Sequence, residues 1–293
     1  MRRTLQRALL LVFCIAAACG GVAAPGQSLA PPSPSTAALE GWKDFPVHTN
    51  PRPVIWFETR GLETPGFPNG DAKLAAICNK LVLAPGLTLP AAGPVAATVT
   101  WPSSSATYHG SISAVQAWAV ILYAAVAQDK ATCARLEPLV VEDVRLGSHK
   151  FLTDRGWAQM TSWLFDLPSV NGVYPYPVLD PSTYWGGGPV SANAYGAIGG
   201  HLSGDGRTLT ISVVGGPDTP GPCGVDYSAS AAESSTAVAV AIASRVHGGP
   251  DTICTLVGYP RTVTVTLKTP LGARVLVDAS GNVGTVCLES ESC

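Results

Sequence analysis

The chain has 293 residues, 46% of them hydrophobic and 13% charged, with 18 basic and 20 acidic side chains and a formal charge of −2. Nucleic acid and anionic lipid surfaces both call for a concentrated basic face, so this balance argues against either as a partner. In chain order, Arg2, Arg3 and Arg7 come first, then an unbroken apolar run from Ala8 to Ala18, then Cys19, Gly20 and Gly21. The run is well short of the roughly 20 residues that span a hydrocarbon core. Basic residues, a short apolar core and small residues together read as a removable export signal over 1–18. Its removal takes away three arginines, leaving 15 basic against 20 acidic side chains and a balance of −5.

The stretch Ala16-Ala17-Ala18-Cys19 resembles the lipobox of bacterial lipoproteins. The resemblance implies that Cys19 carries a thioether-linked diacylglycerol and that the membrane is a partner through this N-terminal anchor. It places the protein on the outer face of the bacterial cytoplasmic membrane. Ala16 departs from the commoner leucine and, with Ala18, also fits ordinary signal peptidase, so plain secretion is the alternative. Cys14, inside the apolar run, reads as a small hydrophobe. Residues 19–40 are expected to be a flexible tether, because Gly21 to Pro34 is uncharged and rich in Ala, Gly, Pro and Ser.

Beyond the tether, Pro53 to Glu58, Lys73 to Leu83 and Val95 to Trp101 read as short strands. Ser113 to Arg135 has no Gly or Pro, a possible N-cap in Ser113 and apolar residues nearly all round, which predicts one substantial, largely buried helix. Leu139 to Leu146, Trp157 to Phe165 and the aromatic, Pro-broken stretch Tyr174 to Trp185 follow, and Gly186-Gly187-Gly188-Pro189 is the best internal boundary. Past it, Leu209, Ile211 and Val213, then Val238, Val240 and Ile242, then Val263, Val265 and Leu267 alternate with smaller or polar residues, the period of half-buried strands. The expected fold class is α+β, mainly antiparallel β with one substantial buried helix. A mixed α/β part is placed at 41–188, and an antiparallel sheet or small sandwich at 191–293.

Six cysteines lie beyond the tether, with no C-x-x-C pair, and in an exported chain they read as disulfides. Sequence order favours Cys78 with Cys133, Cys223 with Cys254 and Cys287 with Cys293, other pairings staying formally open.

Cys223, Asp226-Tyr227, Glu233-Ser234, Val238 to Ile242, Cys254, Arg261, Pro270-Leu271-Gly272, Arg274 and Val277-Asp278 resemble the C-terminal pattern of uncharacterised secreted and lipid-anchored proteins of actinobacteria. Cys133, Leu139 to Leu146, Thr153 to Gly156 and Trp163 to Phe165 are similar to what precedes it there. The resemblance implies export and a β-rich fold, and no catalytic residue.

No G-x-S-x-G, H-E-x-x-H, Walker, Rossmann or EF-hand motif is present. His48, His109, His149, His201 and His247 are scattered without metal-like pairing, so no metal or cofactor is expected. Arg155 with Glu233 could frame a pocket, although Asp154-Arg155-Gly156 and Glu233-Ser234-Ser235 also read as plain turns, as does Asp278-Ala279-Ser280-Gly281. Tyr176, Tyr184 and Trp185 could form a platform for sugar rings, or could simply cover the core. The expectation is an envelope lipoprotein with a structural or binding ectodomain, not an enzyme, whose partners are cell-wall glycan or an envelope protein. The alternative is a glycan-binding or hydrolytic envelope protein.

Overall fold

A computed structural model describes residues 34, 36–57, 61–123, 130–187 and 198–288. The expected export signal, Cys19, Cys293 and most of the expected tether lie outside the described residues, whereas the last residues assigned to the tether form helix α1 (Thr36–Glu40), with Ala38 buried. Helix α2 (Gly70–Ile77) and strand β1 (Leu81–Leu83) follow. Cys78 therefore caps a helix and does not sit in a strand. Asn69 decides this locally: its side chain accepts the Ala72 N–H at 2.8 Å, and Asp71 suits the first turn of an Ala-, Lys- and Leu-bearing helix.

Strands β2 (Ala96–Trp101) and β3 (Ser104–His109) make a hairpin. Helices α3 (Ala114–Tyr123) and α4 (Lys130–Ala134) come next, then β4 (Leu139–Val141), β5 (Asp143–Thr153), β6 (Gly156–Leu167) and β7 (Gly172–Pro177). β4 pairs in parallel with β1, and the larger sheet runs β3-β2-β6-β5 with β7 also on β6, antiparallel throughout.

The expected substantial buried helix is not found: the protein is mostly β, and the described helices are of 5, 8, 10 and 5 residues. Ser113 does cap α3, its Oγ accepting from Gln116 N while Gln116 Oε1 accepts from Ser113 N. Ala114, Ala117 and Ile121 are buried and Trp118 stacks on the buried Phe165 ring, whereas Val115, Val120, Leu122 and Tyr123 are exposed. An apolar circumference records composition. A short helix lying against one side of a sheet buries one stripe whatever its other faces carry.

The C-terminal part contains β8 (Gly199–Leu202), β9 (Thr208–Gly215), β10 (Val225–Glu233), β11 (Ala237–Val246), β12 (Tyr259–Thr266), β13 (Val275–Asp278) and β14 (Thr285–Leu288). They form two sheets, β10-β11-β13 and β12-β9-β8-β14. Neither is purely antiparallel, since β13 runs parallel to β11 and β14 parallel to β8. Val238, Val240 and Leu276 of the first sheet share a core with Leu209, Ile211, Val263 and Val265 of the second. The opposite face of β11 and β13, Ala237, Ala239, Val275 and Val277, packs on Trp42, Phe45, Ile55 and Phe57. The alternation along β11 is thus one of size, not polarity. Valines fill the sandwich while alanines let an aromatic layer approach, and the first half of the strand, 237–241, is buried on both faces.

That aromatic layer also takes in Leu152, at the end of β5, so the N-terminal sheet and the C-terminal sandwich share one apolar seam. Trp56 bridges to Thr153 and Val54 to Tyr184, extending the seam through segment 50–57.

Candidate functional site

The β5–β6 hairpin turns at Asp154-Arg155, between the paired residues Thr153 and Gly156. Thr153 Oγ1 donates to Gly156 O at 2.7 Å and accepts from Arg155 N at 3.0 Å and Trp101 Nε1 at 3.1 Å. Gly156 has φ +82°, and a Cβ there would meet Cys287 Sγ at 2.7 Å, so only glycine fits both the backbone and the close strand β14.

Asp154, 3% exposed, ties three segments together. Its N–H donates to Ile55 O and its carbonyl accepts from Val286 N, both at 3.0 Å. Its carboxylate takes both Nη atoms of Arg52, at 3.3 and 2.6 Å. Arg52 Nε donates to Ala273 O at 2.9 Å, and the guanidinium lies 4.7 Å from the Phe45 ring centroid. Arg155 Nε is 3.5 Å from the same carboxylate and its Nη2 donates to Arg274 O at 2.6 Å. Burial brings Arg155 down to about 10, Asp154 opposing and Arg52 reinforcing the shift, so it remains charged at neutral pH.

Around these groups lies a cleft of about 390 Å³, between segment 50–53, the β2–β3 hairpin tip, the β5–β6 turn, loop 272–273 and strand β14. Trp101, Ser103, Ser104, Ser105, Tyr108 and Arg155 supply most of its chemistry. Tyr108 Oη donates to Arg52 O at 2.8 Å, and burial pushes the phenol up to about 12, so it stays a neutral hydroxyl. No carboxylate or imidazole occurs among the described lining residues.

Glu233 meets Arg274 and not Arg155: Arg274 Nη1 donates to Glu233 Oε2 at 2.9 Å, and its other N–H groups go to the carbonyls of Thr269, Pro270 and Leu271. Burial raises the Glu233 carboxyl, but the Lys268 N–H and the Arg274 guanidinium outweigh it and hold the carboxyl below its usual range. This pair locks the loop whose Gly272 and Ala273 wall the cleft. Asp278 closes a turn by accepting Ser280 N and Asn282 N.

Ser111, His109 and Asp180 come near one another, yet Ser111 Oγ donates directly to Asp180 Oδ2 at 2.6 Å. Bonds from Ser111 and Ser182 hold Asp180 at about 2, so that carboxylate is a poor base for the serine. Among the described residues no group of three or more His, Cys, Asp or Glu side chains is placed to hold a metal ion.

Cys78–Cys133 and Cys223–Cys254 are disulfides, with Cα atoms 5.7 and 5.6 Å apart. Cys287 is also disulfide-bonded, and its expected partner Cys293 lies outside the described residues. Disulfides fit an extracytoplasmic protein. No described helix is long and apolar enough to cross a membrane.

The three aromatic residues expected as a sugar platform go to two different cores. Tyr184 is buried beside Trp56 with Tyr176 packed on the same cluster, while Trp185 packs on Trp42 and Phe45. Burial raises the Tyr184 phenol well above its ordinary range, and its Oη has no hydrogen-bond partner among the described residues. The aromatic residues that do line the cleft, Trp101 and Tyr108, carry no recognisable motif in the sequence, and neither does Arg52. The available signal was Trp101-Pro102-Ser103-Ser104-Ser105, a tight turn with an aromatic base and three hydroxyls. No family model, curated protein or solved structure matches the chain.

Proposed function

We propose that this protein is an exported cell-envelope lipoprotein, anchored through Cys19, whose ectodomain binds a small polar ligand in the 390 Å³ cleft and performs no chemistry on it. The carrying observation is the cleft's lining: a fixed aromatic ring, a row of serine hydroxyls and guanidinium groups, the furniture of recognition. Hydrolysis of a glycosidic bond ordinarily needs two carboxylates flanking it. Here Asp154 is buried behind two arginines and Glu233 is committed to Arg274. Export and anchoring draw support from the disulfides, the leader and the resemblance to secreted and lipid-anchored actinobacterial proteins.

Two measurements test this reading. Mass spectrometry of the native chain should find a diacylglycerol adduct on Cys19, absent in Cys19→Ala; an unmodified N-terminus on protein in the medium would replace anchoring with secretion. Ligand-observed NMR with soluble cell-wall glycan fragments should show line broadening by the mature protein that is lost in Ser105→Trp, which fills the cleft from its rim. The fragments should be recovered uncut. Cleavage would turn the reading to a hydrolase, and broadening unchanged in Ser105→Trp would move the ligand elsewhere.

A further inference from the structure

The floor of the cleft holds more positive charge than its own carboxylate neutralises. Arg52 and Arg155 share Asp154, at 2.6 and 3.5 Å, whereas the adjacent Arg274 is matched one to one by Glu233. Arg52 commits its fork to Asp154 and Ala273 O. Arg155 gives Nη2 to Arg274 O, while its Nη1 has no acceptor among the described residues and the side chain keeps 23% exposure. A guanidinium edge that is short of acceptors in a concave, partly apolar site favours a carboxylate, because two parallel N–H bonds match its two oxygens and the surrounding protein screens them less than water does.

The walls add a second kind of chemistry. Trp101 is half-buried, its ring held by the bond from Nε1 to Thr153 Oγ1, and it brings an indole to the cleft wall. Ser103, Ser104 and Ser105 are exposed on the rim, and their hydroxyls make no hydrogen bond among the described residues. A ligand that uses all three features has a carboxylate at one end, a ring with an apolar face and several hydroxyls. We propose that the cleft binds a sugar acid, a pyranose with its carboxylate on Arg155, its ring face on Trp101 and its hydroxyls on Ser103–Ser105. This inference rests on the cleft being the ligand seat. A neutral sugar leaves the surplus guanidinium desolvated without a counter-charge, and a bare inorganic anion ignores the ring and the hydroxyls. The volume lies near the lower end of the range of about 300 to 1,000 Å³ typical of small-molecule sites, which suits one or two rings and not a long oligosaccharide.

The test is calorimetric titration of the mature chain with D-glucuronate, D-glucose, acetate and inorganic phosphate, repeated on Arg155→Met and Ser105→Trp, with circular dichroism to verify folding. Glucuronate should bind at least ten-fold more tightly than the other three, weaken at least ten-fold in Arg155→Met and be lost in Ser105→Trp. Glucose binding as well as glucuronate, blocked by Ser105→Trp but indifferent to Arg155→Met, would overturn the acid requirement and leave the cleft as the seat. Acetate or phosphate equalling glucuronate would reduce the site to a simple anion site and overturn the sugar component. No glucuronate binding at millimolar concentration would overturn the inference outright, while wall fragments that still broaden in a Ser105-sensitive way would keep the binding reading. If Arg155→Met does not fold, the glucose comparison and Ser105→Trp decide between these outcomes.

Discussion

At the end of the β10–β11 hairpin Glu233 meets Arg274, and at the end of the β5–β6 hairpin Asp154 meets Arg52; each carboxylate is nearly enclosed and each arginine comes from another stretch of chain. The two tips differ in what is left over. Arg274 spends its remaining N–H groups on the carbonyls of Thr269, Pro270 and Leu271, which closes that site on itself. At the other tip a second guanidinium, Arg155, shares the one carboxylate and reaches an open cleft. The same pairing of a turn carboxylate with a distant arginine thus makes a clamp when the charges balance and the donors are all taken. It makes a binding surface when one cation is in excess beside empty space.

The largest expected effect falls on the clamp. Arg274→Met leaves the Glu233 carboxylate and several loop carbonyls without their partner, and should cost roughly 3 to 5 kcal/mol in urea unfolding. A loss below about 1 kcal/mol would show that the clamp is ornamental and break the contrast. Next comes Gly156→Ala, which combines a left-handed backbone with a Cβ 2.7 Å from Cys287 Sγ and should cost about 2 kcal/mol. At the other hairpin, Ser235→Ala should stay within about 0.5 kcal/mol, since Ser234 and not Ser235 makes the turn's hydrogen bonds to Thr236 N and Ala237 N. Arg155→Met should cost about 1 kcal/mol or less, the net value of its bond to Arg274 O, because Asp154 keeps Arg52. If Arg155→Met proves as damaging as Arg274→Met, both tips are clamps and the cleft loses its surplus donor.

The smallest effect is a pH dependence. The Glu233 carboxyl is held below its ordinary 4.5, so its pairing contributes stability above that pH, and the contribution is lost as the pH falls through the lower folded value. Stability measured by chemical unfolding across the acid range should therefore decline less steeply in Glu233→Gln than in the wild type. An unchanged acid slope would mean that Glu233 is not linked to folding through protonation.

Local patterns were legible where one residue type admits one outcome. The β-branched alternation from Leu209 to Val213 and from Val263 to Val265 falls in strands, Leu267 coming just past the end of the second, and the order of the cysteines matched Cys78–Cys133 and Cys223–Cys254. The stretch Lys73 to Leu83 misled because an apolar run is shared by strands and helices, and the deciding residue, Asn69, lies upstream of it. The aromatic stretch Tyr174 to Trp185 misled for a related reason: covering a core and binding a ligand demand the same side chains, and only solvent exposure separates them.

From the sequence by itself came the pairing of Cys78 with Cys133 and of Cys223 with Cys254 and the β-rich character of the second half, because each depends on composition or on spacing along the chain. Arg52, Trp101, Asp154, Arg155 and Ala273 span more than two hundred positions, and nothing in their local patterns shows that they meet. Only the tertiary structure decided that, by packing the N-terminal segment on both sheet systems through one apolar seam. A surplus of charge is a property of neighbours in space, and it exists only after that seam has brought three cations and two carboxylates together.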